Sequence, residues 1–210
     1  MRKFLAGTLL ALLLLGAYSA YDFYQSIFRL TPNQVAKTIC QTIPRYQKIT
    51  DCQLRPGDIL IRRYITSRTK ALDQYLHLYF THSAFYIGND YIVEASGKEQ
   101  RPEDEIRVTR LSTSDWENSD IENFVIIRPK NYEGKLDKII SNLKTIAADP
   151  NYRFGLPIQG GKRTTCAELI LKEIITEKVI QEPKVPKIIT PDYLFWLAVN
   201  NSDNFEIIGH

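Results

Sequence analysis

Apolar positions along the chain fall into a few distinct patterns. From Phe4 to about Ala17 they form one nearly unbroken run behind the basic pair Arg2 and Lys3. From Leu136 to Ala148 they recur at helical spacing (Leu136, Ile139, Ile140, Leu143, Ile146, Ala147), which predicts an amphipathic helix. Ile59-Leu60-Ile61 is fed by the turn Leu54-Arg55-Pro56-Gly57-Asp58, and Phe124-Val125-Ile126-Ile127 is stopped by Pro129. Both blocks predict buried strands. Thr81 to Ala95 holds two β-rich runs around Gly88-Asn89-Asp90, the strongest hairpin signal in the chain. Further helices are predicted around 71–79, from Cys166 to about Lys178, and from Pro191 through Trp196, with a last strand at Phe205-Glu206-Ile207-Ile208. Residues 97–123 are charged and irregular and predict a surface excursion. A Gly-rich loop runs through Phe154, Gly155, Gly160 and Gly161. The whole is an α+β pattern with an antiparallel sheet packed against helices.

Residues 1–20 have the layout of a secretory signal: a positive start, an apolar core and small residues such as Ala17 and Ser19. Tyr21, Phe23 and Tyr24 follow closely, and an apolar stretch of roughly 17 residues approaches the lower limit for a membrane span. A cleaved signal peptide and a retained anchor through residues 4–20 both stand, and either places the protein in the periplasm or cell envelope. Residues 21–53 read as a helical lead-in punctuated by Pro32 and Pro44, and 54–210 as one domain. The net charge of +3 comes from 27 basic against 24 acidic residues. The basic residues are scattered rather than interleaved with aromatics, so nucleic acid is not an expected partner.

Three cysteines leave an odd one. In an oxidising compartment Cys40 and Cys52 would be able to pair and leave Cys166 free, and three unpaired thiols are the other option. Thr165 followed by Glu168 is a capping box, which makes Thr165 the N-cap and Cys166 the first residue of its helix. There the positive end of the helix dipole favours a thiolate, and free N–H groups near Cys166 and Ala167 would hold an oxyanion. A buried cysteine acting as a small hydrophobe is the plainer alternative.

A nucleophilic thiol needs a base, and the chain offers His77, His82 and His210. His77 lies in a helical run and His210 is the last residue, so His82, opening the first hairpin strand, is the candidate. If Gly88-Asn89-Asp90 is a three-residue loop, Ile87 pairs with Tyr91 and Ala84 lies opposite Glu94. His82 and Glu94 then become diagonal neighbours on one face, roughly 7–8 Å apart. A two-residue loop would send Glu94 to the other face. Glu94 either orients the imidazole or is a half-exposed acid on an edge strand.

These segments together carry a likeness. Leu54-Arg55-Pro56-Gly57-Asp58-Ile59-Leu60, Thr81-His82-Ser83-Ala84, Ile92-Val93-Glu94-Ala95 and Thr164-Thr165-Cys166-Ala167-Glu168-Leu169-Ile170 resemble the YiiX, YebB and YaeF family. That family is the circularly permuted branch of the NlpC-type papain-like superfamily, in which His precedes Cys in the chain. The likeness covers about residues 54 to 200, including Ile189-Thr190-Pro191-Asp192, which is similar to the family's late Thr-Pro turn. It implies a permuted papain-like fold with Cys166 as nucleophile, His82 as base and Glu94 as third member. It also implies that Tyr152 helps bind the oxyanion, although the family usually has Asp after this Tyr and here stands Arg153.

The expected activity is that of an exported cysteine hydrolase without a cofactor, acting on a peptidoglycan peptide or, alternatively, on a lipid or acyl-thioester. A non-catalytic, membrane-associated binding module is a second class of reading. A metal held by Cys166, His82 and Glu94 is a third, although their spacings match no short metal motif. The oligomeric state is not written in the sequence.

Overall fold

The computed structural model describes residues 13–21, 48–64, 78–96, 105–117, 121–130, 132, 134–155, 162–181, 185–186 and 188–209. Its main body is a six-stranded, fully antiparallel sheet. The strands are β1 (Ile59–Tyr64), β2 (His82–Gly88), β3 (Tyr91–Ser96), β4 (Glu105–Arg110), β5 (Ile121–Pro129) and β8 (Phe205–Gly209), in the order β4-β3-β2-β1-β5-β8. A small parallel pair, β6 (Tyr152–Phe154) and β7 (Lys162–Thr164), lies apart from it. Three helices complete the body: α1 (Leu136–Ala148), α2 (Cys166–Thr176) and α3 (Pro191–Asn200).

Strand residues alternate between two cores because successive side chains point to opposite faces. Ile59, Ile61, Phe85, Val93, Ala95, Val125 and Ile127 pack with the buried residues of α1, α2 and α3. Leu60, Ala84, Ile92, Phe124 and Ile126 face the other way, onto Ile49, Cys52, Leu111 and Trp116. Both faces are covered, so the strand sequences read as continuous apolar blocks. Ile49 and Cys52 belong to this second core, and the packed unit therefore includes residues ahead of Leu54.

The turn before β1 is held by Asp58. Its carboxylate accepts from the Arg55 N–H at 2.8 Å and from Arg128 of β5 at 2.8 and 2.9 Å. The Leu54–Leu60 segment of the family likeness thus has a structural job well away from Cys166.

Several expectations are corrected. The hairpin does not turn through a three-residue loop, because Gly88 pairs with Tyr91 across a two-residue turn in which Asn89 and Asp90 both have positive φ. Continued unbroken, that pairing would set Phe85 against Glu94. The register shifts between Tyr86 and Gly88 instead, so the strand carries one extra residue and Phe85 pairs with Val93. The bulge restores the parity that a three-residue loop would have given. Residues 97–123 are not simply a surface excursion: they contain β4 and a pair of short 3-10 turns, with Ile106 and Trp116 buried. Alternation in β4 is masked in the sequence because Glu105, Arg107 and Arg110 are charged whichever way they face. The Gly-rich loop region contributes β6 and β7, each too short to leave a periodic signal.

Residues 71–77 of the expected helix lie outside the described residues, and Leu78 to Phe80 are buried but not helical. Residues 13–21 are helical and exposed. Among the described residues no helix is long and apolar enough to cross a membrane.

Gly88 has φ +92°, and a Cβ there would sit 3.1 Å from Pro56 Cγ. Gly88→Ala is therefore expected to cost about 1–2 kcal/mol, from backbone strain and crowding together, measurable by urea unfolding.

Candidate active site

The capping box forms as expected. The Thr165 hydroxyl accepts from the Glu168 N–H at 3.1 Å, and the Glu168 carboxylate accepts from the Thr165 N–H at 3.4 Å. Cys166 therefore stands at the first position of α2, and it is buried. Among the described residues, the N–H groups of Cys166 and Ala167 have no acceptor, as is usual for the first turn of a helix.

His82 opens β2 and Glu94 lies on β3, and the corrected register keeps both on the face away from the helices. His82 Nε2 and Glu94 Oε2 are 2.7 Å apart. Nδ1 is the ring nitrogen not engaged by Glu94, and the ring and the Cys166 thiol lie close enough that each shifts the other's ionisation. The three side chains singled out in the sequence are thus brought together at the end of the sheet and the mouth of α2.

Sequence reasoning missed the groups around them. Glu94 is almost inaccessible to water, yet its carboxylate accepts four bonds. Arg107 donates through Nε and Nη2 to Oε1, at 2.9 and 2.5 Å, and the Trp116 indole donates to Oε2 at 3.0 Å beside His82. Arg62, buried and opposite His82 on β1, lays its guanidinium 4.5 Å from the Trp116 ring centroid and donates to the Asp115 carbonyl at 2.5 Å. Arg107 was findable once β4 was known, since it sits directly across from Glu94. Trp116 sits in a short irregular turn, and no periodicity announces it. The Ser83 hydroxyl is buried with no well-formed partner and faces the sulfur closely enough to favour its thiolate.

These contacts set the ionisation. Burial alone would push the Glu94 carboxyl up, but the hydrogen bond and charge of His82, with Arg107, hold it well below the usual carboxylate range. Burial would likewise disfavour the imidazolium, but bonding to Cys166 and Glu94 outweighs it and raises His82 to about 9. The Cys166 thiol, also penalised by burial, is lowered by the hydrogen bond and charge of His82 and by Ser83. Cys52 behaves oppositely: it is free and buried, and desolvation with nearby Asp51, Asp58 and Glu117 pushes it up to about 12. Cys40 lies outside the described residues.

Two other candidates take different places. Tyr152 pairs with Lys162, four residues ahead of Cys166, and its ring lies 4.9 Å from the Lys162 ammonium. The ring also packs against the core that contains Cys166. The Thr165 hydroxyl is committed on both sides, donating to the Ile189 carbonyl at 2.9 Å while capping α2. It braces the helix, and its one proton is already given to that carbonyl.

The same late turn braces His82. Asp192, buried at the start of α3, accepts from the N–H of Tyr79 and of Phe80, both at 3.2 Å, three and two residues before the histidine. Residues 189–192 therefore tie the helix of Cys166 to the strand of His82.

Among the described residues no group of three or more His, Cys, Asp and Glu is arranged to hold a metal ion. An ion shared by Cys166, His82 and Glu94 would have to displace donors that already fill the Glu94 oxygens.

No family model matches the chain, and no curated protein is significantly similar to it. Among solved structures it is similar to the crystal structure of YiiX, titled a metalloprotein, from Escherichia coli O157:H7. The TM-score is 0.49 and the identity 14%, over 75% of this chain and 98% of that one. The assignment of the site rests on this chain's own geometry.

Trp116→Phe keeps the ring against Arg62 and removes one donor from the buried carboxylate. Its expected cost is about 1–3 kcal/mol, read from urea denaturation at neutral pH, and a change under 0.5 kcal/mol would mean the indole bond is not needed.

Proposed function

We propose that the protein is a cysteine hydrolase in which Cys166 is the nucleophile, His82 the proton carrier and Glu94 the group that orients the ring. The observation that carries the reading is the meeting of a thiol in the first turn of a helix with an imidazole already bonded to a buried carboxylate. The Cys166 thiolate adds to a carbonyl carbon, and the N–H groups of Cys166 and Ala167 stabilise the oxyanion. The tetrahedral adduct collapses as the leaving nitrogen or oxygen takes the His82 proton, which leaves a thioester on Cys166. His82 then draws a proton from water, the resulting hydroxide attacks the thioester, and the acid product departs as the thiolate–imidazolium pair re-forms.

The resemblance in the Cys166, His82 and Glu94 segments favours an amide in a cell-wall peptide, reached by export through residues 1–20. A lipid or acyl-thioester is the second substrate class, favoured by the exposed Leu13, Leu14, Leu15 and Tyr18 of the leader helix, which would hold the enzyme at a membrane.

The deciding experiment incubates wild type and Cys166→Ala with peptidoglycan fragments and, separately, with phospholipid and acyl-thioester, followed by mass spectrometry. The expected result is peptide product from wild type alone. Equal product from both proteins would remove Cys166 from the chemistry, and lipid product alone would move the substrate to the second class.

A pH dependence follows with a definite sign. His82 keeps its proton up to about 9, so turnover should hold through neutral pH and fall as pH rises through about 9. On the acid side it should fall as the thiol reprotonates, below its ordinary range. A rate of turnover that still climbs beyond pH 10 would contradict an imidazolium proton donor.

A further inference from the structure

Arg107 lies directly opposite Glu94 in the β3–β4 register, with Val93 and Val108 as the next pair along. Its Nε and Nη2 both bond Glu94 Oε1, and its Nη1 bonds Glu105 at 3.1 Å. The two carboxylate oxygens are thereby divided: Oε1 belongs to the guanidinium, and Oε2 is shared by His82 and Trp116. Two guanidinium donors pin Oε1 while His82 and Trp116 hold Oε2, so the carboxylate is fixed at both oxygens, which a single point-charge donor on Oε1 would do less well. The guanidinium also brings a permanent positive charge to the opposite oxygen of the carboxylate that holds the imidazole.

We infer that Arg107 is a positioning residue of this site: its fork fixes the carboxylate that holds His82, and its charge sets the pH range of the thiolate–imidazolium pair. The inference rests on the hydrolase reading above. The charged and titratable groups around His82 are Glu94 on β3, Arg107 backed by Glu105 on β4, Arg62 on β1 with Asp115 beside it, and Cys166 on α2. Arg62 does not duplicate Arg107, because its bond goes to the Asp115 carbonyl and its face to Trp116.

The sign is fixed by charge. Removing a cation makes every nearby proton harder to lose, so the thiol ionises at higher pH and the imidazolium survives to higher pH. Both limbs move the same way. Loss of packing alone would lower the rate without moving both limbs.

The test is alkylation of Cys166 by iodoacetate in the full chain, followed by peptide mass spectrometry from pH 4 to 11. An anionic reagent gives a bell: the acid limb reports thiolate formation, and the alkaline limb reports loss of the imidazolium that attracts it. For Arg107→Gln both limbs should rise by about one pH unit, the effect of a partly screened unit charge at this range. For Arg107→Lys, which keeps the charge and loses the fork, both limbs should stay within a few tenths while the peak rate falls several-fold. Unmoved limbs in Arg107→Gln would overturn the inference while leaving the hydrolase reading intact. So would limbs in Arg107→Lys that move, or a peak rate that does not fall, and this variant decides alone if Arg107→Gln fails to fold. A wild-type profile with no bell at Cys166 would overturn the hydrolase reading and the inference together.

Discussion

Glu94 is a carboxylate cut off from water, and a charge in that position is tolerated only where its oxygens are filled by donors. The donors come from three separate pieces of chain: His82 from β2, Arg107 from β4 and Trp116 from the turn beyond β4. Each must arrive for the others to be worth having. The end of the sheet is therefore organised by satisfying one anion, and the ring that meets Cys166 is oriented as a by-product. Arg62 closes the arrangement from β1 by lying on the indole. This is why a region so rich in charge sits at the edge of an apolar core and not at the surface.

Much of this was legible in the residues, and the reasons differ from element to element. α1 could be read because one face is apolar and the other is not, and α2 because Thr165 and Glu168 form a local motif that needs no tertiary context. The pairing of His82 with Glu94 was reached through the right parity by way of the wrong turn. A loop of three and a turn of two plus a bulge give one register, and sequence does not separate them. Arg107 and Trp116 were hidden for a different reason. β4 alternates a few apolar residues with charges whose partners lie across the sheet, so its inward-facing polar groups look like surface. Thr165 shows the converse case, in which a chemically plausible hydroxyl is engaged by a backbone carbonyl while it caps its own helix.

The two described thiols make the role of surroundings plain. Cys52 and Cys166 are both buried, yet one is pushed away from ionisation and the other toward it. Acidic neighbours on one side, and an imidazolium with a helix start on the other, decide the difference. Burial by itself would have silenced both.

The brace at residues 189–192 has a consequence for how the chain matures. Sulfur, ring and carboxylate have all been synthesised once residue 166 has left the ribosome, but the peptide that ties the helix of Cys166 to the strand of His82 comes later. A nascent chain halted before residue 189 would hold all three side chains and lack the tether that aligns them. Their alignment is thus deferred until α3 docks and β8 closes beside β5.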